Sequence, residues 1–140
     1  MKEIIKAENK SDVVSYLESY RSNKKLIQMM RYEKEYFKDD FEESVKDGDY
    51  LSLPVGDEVL LRSAMFKVRK FIMSIGENNC RLILYYHYIK GQPIAKCAEL
   101  LGVSRTSAFR LRKKALSVAG RKYSEERLLQ KFKEKRNLAV

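Results

Sequence analysis

Residues 94 to 113, IAKCAELLGVSRTSAFRLRK, hold the pattern that most constrains how this chain folds. Two short helices can cross at a steep angle only where the facing residue on the first helix is small and the turn is permissive. Ala98 is small at the expected crossing, and Gly102 can adopt the left-handed backbone of such a turn. Ser104 is a favourable N-cap residue for the second helix. The segment therefore predicts a helix-turn-helix.

Apolar residues in the same segment are spaced to hold both helices against a third. The positions expected to be buried are Cys97, Leu101, Val103, Ala108 and Leu111. Pro93 falls in the first turn of the first helix, where its missing N–H costs nothing. An ordinary helical hairpin in a core is the alternative. It is disfavoured because so many spacing requirements are met together.

Basic charge is concentrated towards the C-terminus. Residues 1 to 56 carry 10 Lys/Arg against 12 Asp/Glu, residues 57 to 100 carry 7 against 4, and residues 101 to 140 carry 12 against 3, within a net charge of +10. A solvated surface normally mixes its signs. The basic segment over residues 101 to 140 would be matched best by the closely spaced phosphates of a nucleic acid. We therefore expect a nucleic acid partner rather than an anionic membrane surface.

The residues that carry chemistry argue against an enzyme. Cys80 and Cys97 are the only cysteines and His87 is the only histidine, too few for a four-ligand zinc site. No glycine-rich phosphate loop is present either, so we expect no cofactor, no metal and no catalysis. Both thiols are predicted to be small core residues in a reducing compartment. His87 is predicted to be a partly exposed packing residue.

Targeting signals are not evident in the sequence. It contains no run of 18 apolar residues, and the N-terminal MKEIIKAENK lacks the apolar stretch of a signal peptide. We therefore expect a cytoplasmic, nucleoid-associated protein with no membrane partner.

Apolar residues at helical spacing and one stretch that contains glycine and proline predict an all-α chain in four parts. Residues 1 to 45 are expected to form a long N-terminal helix or helical pair. A linker over 46 to 56 holds two of the six glycines and one of the two prolines. Residues 57 to 123 are expected to form the helix-turn-helix bundle, and residues 124 to 140 a basic tail.

The N-terminal helix is expected to start at Ser11 and Asp12 and to reach Val45, with a break near Arg21 to Lys25 as an alternative. Its apolar residues follow the a/d positions of a heptad, which polar residues interrupt at Asn23, Lys34 and Ser44. The apolar a/d residues are Val13, Tyr16, Tyr20, Ile27, Met30, Phe37 and Phe41. This seam slightly favours a homodimer formed through residues 12 to 45. An amphipathic helix packed on its own C-terminal domain would give much the same pattern.

Two helices are expected between the linker and the motif. The first begins at Asp57 and ends at Gly76, with a core-facing stripe of Val59, Leu60, Ala64, Val68, Phe71, Ile72 and Ile75. The second covers Glu77 to Ile89. Its expected inward face is Leu82, Tyr85, Tyr86 and Ile89.

The helix after the turn is expected to run from Arg105 to at least Ala119, and Ser124 is expected to cap a separate final helix beyond Gly120. The buried face predicted for the helix that starts at Arg105 consists of Ala108, Leu111, Ala115 and Val118. That phase leaves Thr106, Phe109, Arg110 and Lys113 on the opposite face, with Arg105 at the N-terminal tip.

Residues 75 to 117 resemble region 4 of the sigma-70 family of RNA polymerase factors, which recognises the promoter −35 element. The resemblance lies in NNCRLILYYHYIKG, PIAKCAELLGVS and SRTSAFRLRKKAL. It places the family's base-reading positions on Arg105, Thr106 and Arg110. Thr106 stands where the family has an acidic residue and Arg110 where it has glutamine.

The layout of the whole chain resembles the late-operon transcription regulators of Gram-positive bacteriophages, of the RinA and ArpU type. The resemblance implies a sequence-specific regulator, an activator of phage or mobile-element late genes that binds double-stranded DNA and recruits the host RNA polymerase holoenzyme. The alternatives are a small terminase-like DNA-packaging recruitment protein and a minimal sigma-like factor.

Roles for single residues follow from the helical phase and the resemblance together. Arg105 and Arg110 are expected to donate to O6 and N7 of guanine. Thr106 would add a hydrogen bond, and Phe109 would touch a thymine methyl. Phosphate contacts are expected from Ser104, Arg112, Lys113 and Lys114.

Overall fold

The computed structural model describes residues 2 to 36 and 55 to 138, with side chains described over 11 to 36 and 58 to 136. The helices are α1 (Lys2–Tyr36), α2 (Val55–Met73), α3 (Asn78–Leu84) with a π-helical continuation (Tyr85–Ile89), α4 (Ile94–Leu101) and α5 (Arg105–Leu138). The predicted all-α class is confirmed over these residues. None of the described helices is long and apolar enough to cross a membrane.

Helix α1 starts at Lys2, so the predicted start at Ser11 and Asp12 is wrong. The preceding residues are good helix formers, and the helix continues upstream through them. Helix α1 also has no break at Arg21 to Lys25. The predicted end at Val45 and most of the linker lie outside the described residues, but α2 already begins at Val55, inside the predicted linker.

One face of α1 is buried against α2, α5 and the π-helical segment. Val13, Leu17 and Tyr20 belong to the same apolar core as α2 to α5, and Ile27 and Met30 are also buried. Leu17 is fully buried although it lies off the a/d seam. A stripe wider than a/d is typical of a helix packed on a globular core. The structure thus has the arrangement of an amphipathic helix packed on its own chain, and this part of the seam is not free to pair.

Helix α2 buries the C-terminal part of its predicted stripe. Val68, Phe71, Ile72 and Ile75 are buried. Val59 and Leu60, predicted to face the core, are 63% and 69% exposed. Near these residues the described neighbour of α2 is α1, whose Arg31 donates to Glu58 at 3.2 Å. One neighbouring helix covers too little of α2 to bury both residues.

The inward face of α3 differs from the predicted one. The buried residues of α3 and the π-helical segment are Cys80, Ile83, Leu84, Tyr88 and Ile89. Of the residues predicted to face inward, Leu82 is exposed, and Tyr85 and Tyr86 are only half-buried. The amide of Lys90 donates to the carbonyl of Tyr85 at 3.1 Å, which closes a π-helical turn. Counting back in α-helical steps from Ile89 across this wider turn gives the wrong phase. The prediction for Leu82 is wrong for that reason.

Helix α5 is a single helix of 34 residues. The predicted break after Gly120 and the cap at Ser124 are therefore wrong. A glycine inside a helix costs about 1 kcal/mol relative to alanine. Here packing on α1 offsets that cost, because Ala119 and Gly120 are buried and Tyr123 stacks on Tyr16 with ring centroids 4.8 Å apart.

Candidate nucleic-acid interface

Helices α4 and α5 are joined by a tight turn at Gly102. Gly102 has φ 69° and ψ 33°, the left-handed conformation expected from the sequence. Its amide donates to the carbonyl of Glu99 at 3.2 Å, and the amide of Val103 donates to the carbonyl of Ala98 at 3.0 Å. This pair of bonds is a Schellman motif, which satisfies carbonyl groups at the end of α4 and fixes where the chain leaves it.

Ser104 caps the start of α5, as predicted. The amide of Ser107 donates to Oγ of Ser104 at 3.1 Å, and the amide of Ala108 donates to the carbonyl of Ser104 at 2.9 Å. Such a cap satisfies one of the amide groups that an α-helix leaves unpaired at its first turn. The position of Arg105 and the next two turns is therefore set by a defined helix start.

Small side chains lie where the turn brings α4 and α5 against the core. Cys97, Ala98 and Ala108 are buried, and Leu101 and Leu111 are half-buried. Val103 was expected to be buried but is 40% exposed. It follows the left-handed residue, and its side chain leaves the turn on the solvent side. Pro93 is the N-cap of α4 rather than a residue of its first turn.

The first turns of α5 present an exposed face of mixed chemistry. Arg105, Thr106, Phe109, Arg110 and Lys113 are all exposed, as predicted. Four of them follow the i, i+3, i+4, i+7 spacing that places side chains on one side of a helix. Within the described part of the chain, no hydrogen bond or ion pair engages the three cations. Phe109 is 57% exposed among them. The face thus offers free donors and an apolar ring to a partner.

Two of the expected phosphate-contacting residues have partners inside the chain. Arg112 is half-buried, and its Nη2 donates to the hydroxyl of Tyr88 at 3.3 Å. Lys114 pairs with Glu77 at 3.0 Å. The hydrogen bond in this pair lowers the pKa of Glu77 and raises the pKa of Lys114. Phosphate contacts by Arg112 and Lys114 remain predictions and would require these partners to be exchanged.

Two cations on α1, Arg21 and Lys25, were not predicted to be functional residues. The guanidinium of Arg21 lies against Gly91, whose φ is 70°, so close that a Cβ on Gly91 would be 2.9 Å from Cζ of Arg21. Lys25 follows one helical turn later. Both side chains line a groove of about 290 Å³ between α1 and the π-helical segment. The RSNKK run was the available signal, but it suggested a helix break rather than a surface.

The remaining reactive groups are packed into the fold. Cys80 and Cys97 are buried free thiols, and burial raises the pKa of each, which keeps them in the unreactive thiol form. His87 is half-buried, with Nδ1 2.8 Å from the carbonyl oxygen of Gln92. Among the described side chains, no three His, Cys, Asp or Glu residues are placed together to hold a metal ion.

Comparison of the chain with known protein families, with curated proteins and with solved structures gave no match. The features of the described chain that bear most directly on its function are the turn between α4 and α5 and the surface beside it.

Proposed function

We propose that this chain is a sequence-specific double-stranded DNA-binding protein that regulates transcription. The observation that carries the proposal is the free, exposed face of Arg105, Thr106, Phe109, Arg110 and Lys113, which begins directly after the Gly102 turn and the Ser104 cap. In this interpretation α4 and α5 are the two helices of a helix-turn-helix, and the first turns of α5 enter the major groove.

The side chains on this face match the chemistry of base edges. The major groove is about 12 Å wide and admits an α-helix. Arg105 and Arg110 can each donate two hydrogen bonds to O6 and N7 of a guanine, and Thr106 can donate or accept one. Phe109 gives the apolar contact that a thymine methyl favours.

Contacts with the phosphate backbone would position this face without reading sequence. Lys113 is exposed and has no partner among the described residues, so it is available for such a contact. Ser104 lies at the start of the same helix, although its Oγ is engaged in the cap. The excess of 12 Lys/Arg over 3 Asp/Glu in residues 101 to 140 would give the binding a strong dependence on salt.

The regulatory part of the proposal rests on the resemblance to sigma-70 region 4. The reading positions Thr106 and Arg110 differ from that family, so the target would not be a consensus −35 element. We propose that the protein binds beside a late promoter of a phage or mobile element and recruits the host RNA polymerase holoenzyme. DNA contacts would place it, and protein contacts would activate transcription.

Two experiments test this role. Chromatin immunoprecipitation with sequencing in the native host should give sites next to promoters. In vitro transcription from a footprinted promoter should be stimulated with holoenzyme and not with core polymerase alone, and Arg105→Ala/Arg110→Ala should abolish the stimulation. Transcripts with core polymerase would identify a minimal sigma factor instead. Binding near a packaging start site without any effect on transcription would identify a DNA-packaging recruitment protein.

A further inference from the structure

We infer that Arg21 and Lys25 of α1 contact the phosphate backbone of the same duplex, beside the groove that α5 enters. The inference rests on the proposed function and extends it, because it makes the N-terminal helix part of the DNA-binding surface. The chemical group recognised is a backbone phosphate, irrespective of sequence.

Arg21 lies beside the connection that leads into α4. In helix-turn-helix complexes the first helix of the motif crosses the DNA backbone. Residues 91 to 93 lead directly into α4, which begins at Ile94. Arg21 packs on Gly91, at the start of that connection, because a glycine there leaves room for the guanidinium. A cation from a distant part of the sequence is thus held where the backbone would pass.

The groove lined by Arg21 and Lys25 is also connected to α5. Tyr88 lines the groove together with Arg21 and Lys25, and its hydroxyl accepts a hydrogen bond from Arg112 of α5. Arg112 is adjacent in sequence to Lys113 and two residues from Arg110. One buried tyrosine therefore links the α1 cations to the turn of α5 that follows the base-reading residues.

The charge of the groove favours an anionic partner. The groove is lined by two cations and one carboxylate, Glu18, together with Ser22, His87 and Tyr88. No hydrogen bond or ion pair holds Arg21 or Lys25 to another described residue. The two cations are thus available to an anion, and among the described lining residues only Glu18 carries a negative charge against them. A phosphate neutralised by each cation would release a counterion from the DNA.

The test is the salt dependence of binding by Arg21→Gln, Lys25→Gln and the double variant, measured on a selected duplex and on a random duplex. Each single change should reduce the slope of log K against log salt by about 0.9 and the double change by about twice that. Both duplexes should lose affinity by the same factor, because phosphates carry no sequence. The matched control is Lys34→Gln, an exposed lysine further along α1, which should leave slope and affinity unchanged.

A second variant separates charge from packing. Arg21→Lys keeps the charge and should keep the wild-type slope, provided that its melting temperature is unchanged. An unchanged slope in Arg21→Gln and Lys25→Gln, with wild-type DNA binding intact, would overturn this inference alone. A loss of affinity in these variants that is confined to the selected duplex would also overturn the inference. Failure of the wild-type chain to bind any duplex would remove the proposed function and this inference with it.

Discussion

The guanidinium of Arg112 donates from Nη2 to the hydroxyl of Tyr88 at 3.3 Å, which joins α5 to the π-helical segment. The Nε atom of Arg112 is buried and has no hydrogen-bond partner among the described residues. A half-buried cation with one donor already unsatisfied depends strongly on its remaining hydrogen bonds. The contact therefore stabilises the base of the proposed DNA-binding face.

Tyr88→Phe should destabilise the fold by about 1.5 to 3 kcal/mol, the usual range for a hydrogen bond to a charged group. The phenyl ring keeps the packing and only the acceptor is lost. Urea denaturation measures the change. The control is Tyr86→Phe, since the half-buried Tyr86 has a ring contact with Tyr85 but its hydroxyl has no hydrogen bond to another described residue. Equal stabilities for the two variants would show that the Arg112 contact contributes nothing.

Gly102→Ala should destabilise the fold by about 1 to 2 kcal/mol, because an L-residue with a Cβ disfavours the left-handed conformation. No atom of the part of the chain that the structure describes lies within 4 Å of the added Cβ, so the cost would come from the backbone alone. Gly76 is the matched control: its Cβ would also meet open space, and it has no positive φ. Thermal unfolding of both variants measures the two effects. A decrease in melting temperature for Gly76→Ala as large as that for Gly102→Ala would contradict a cost that comes from the left-handed backbone.

Ala98→Leu should cost about 1 to 3 kcal/mol through overpacking, because Ala98 is buried where the α4 turn meets the core. DNA binding should be lost together with the packing of α4 on α5. The half-buried Ala95 on the same helix provides the control Ala95→Leu, for which we expect a smaller change in melting temperature. An unchanged melting temperature and affinity in Ala98→Leu would argue against the proposed helix-turn-helix.

The turn and the exposed face of α5 could be predicted because their determinants are local. Gly102 and Ser104 act on neighbouring backbone groups, and one regular helical phase carries Thr106, Phe109, Arg110 and Lys113. Such signals are complete within a few residues of sequence.

The predictions from sequence were wrong where packing between distant segments or irregular helix geometry determines the structure. Gly120 remains helical because α1 packs on that part of α5, and the phase of α3 changes at a π-helical turn that no hydrophobic period reveals. Leu17 is buried because α1 faces two helices at once. The contact between Arg21 and Gly91 joins residues far apart in sequence, and nothing near either residue predicts it.

The most direct test of the central claim is the affinity ratio between a selected and a random duplex. A selection from random duplexes with the wild-type chain supplies the specific site. Arg105→Ala and Arg110→Ala should each weaken binding to that site by about 1 to 3 kcal/mol and hardly change binding to random DNA. Arg69→Ala, an exposed arginine on α2, is the matched control and should preserve the ratio. Equal losses of affinity for both duplexes would show that Arg105 and Arg110 contact only the DNA backbone. A selection that enriches no sequence would contradict sequence-specific binding.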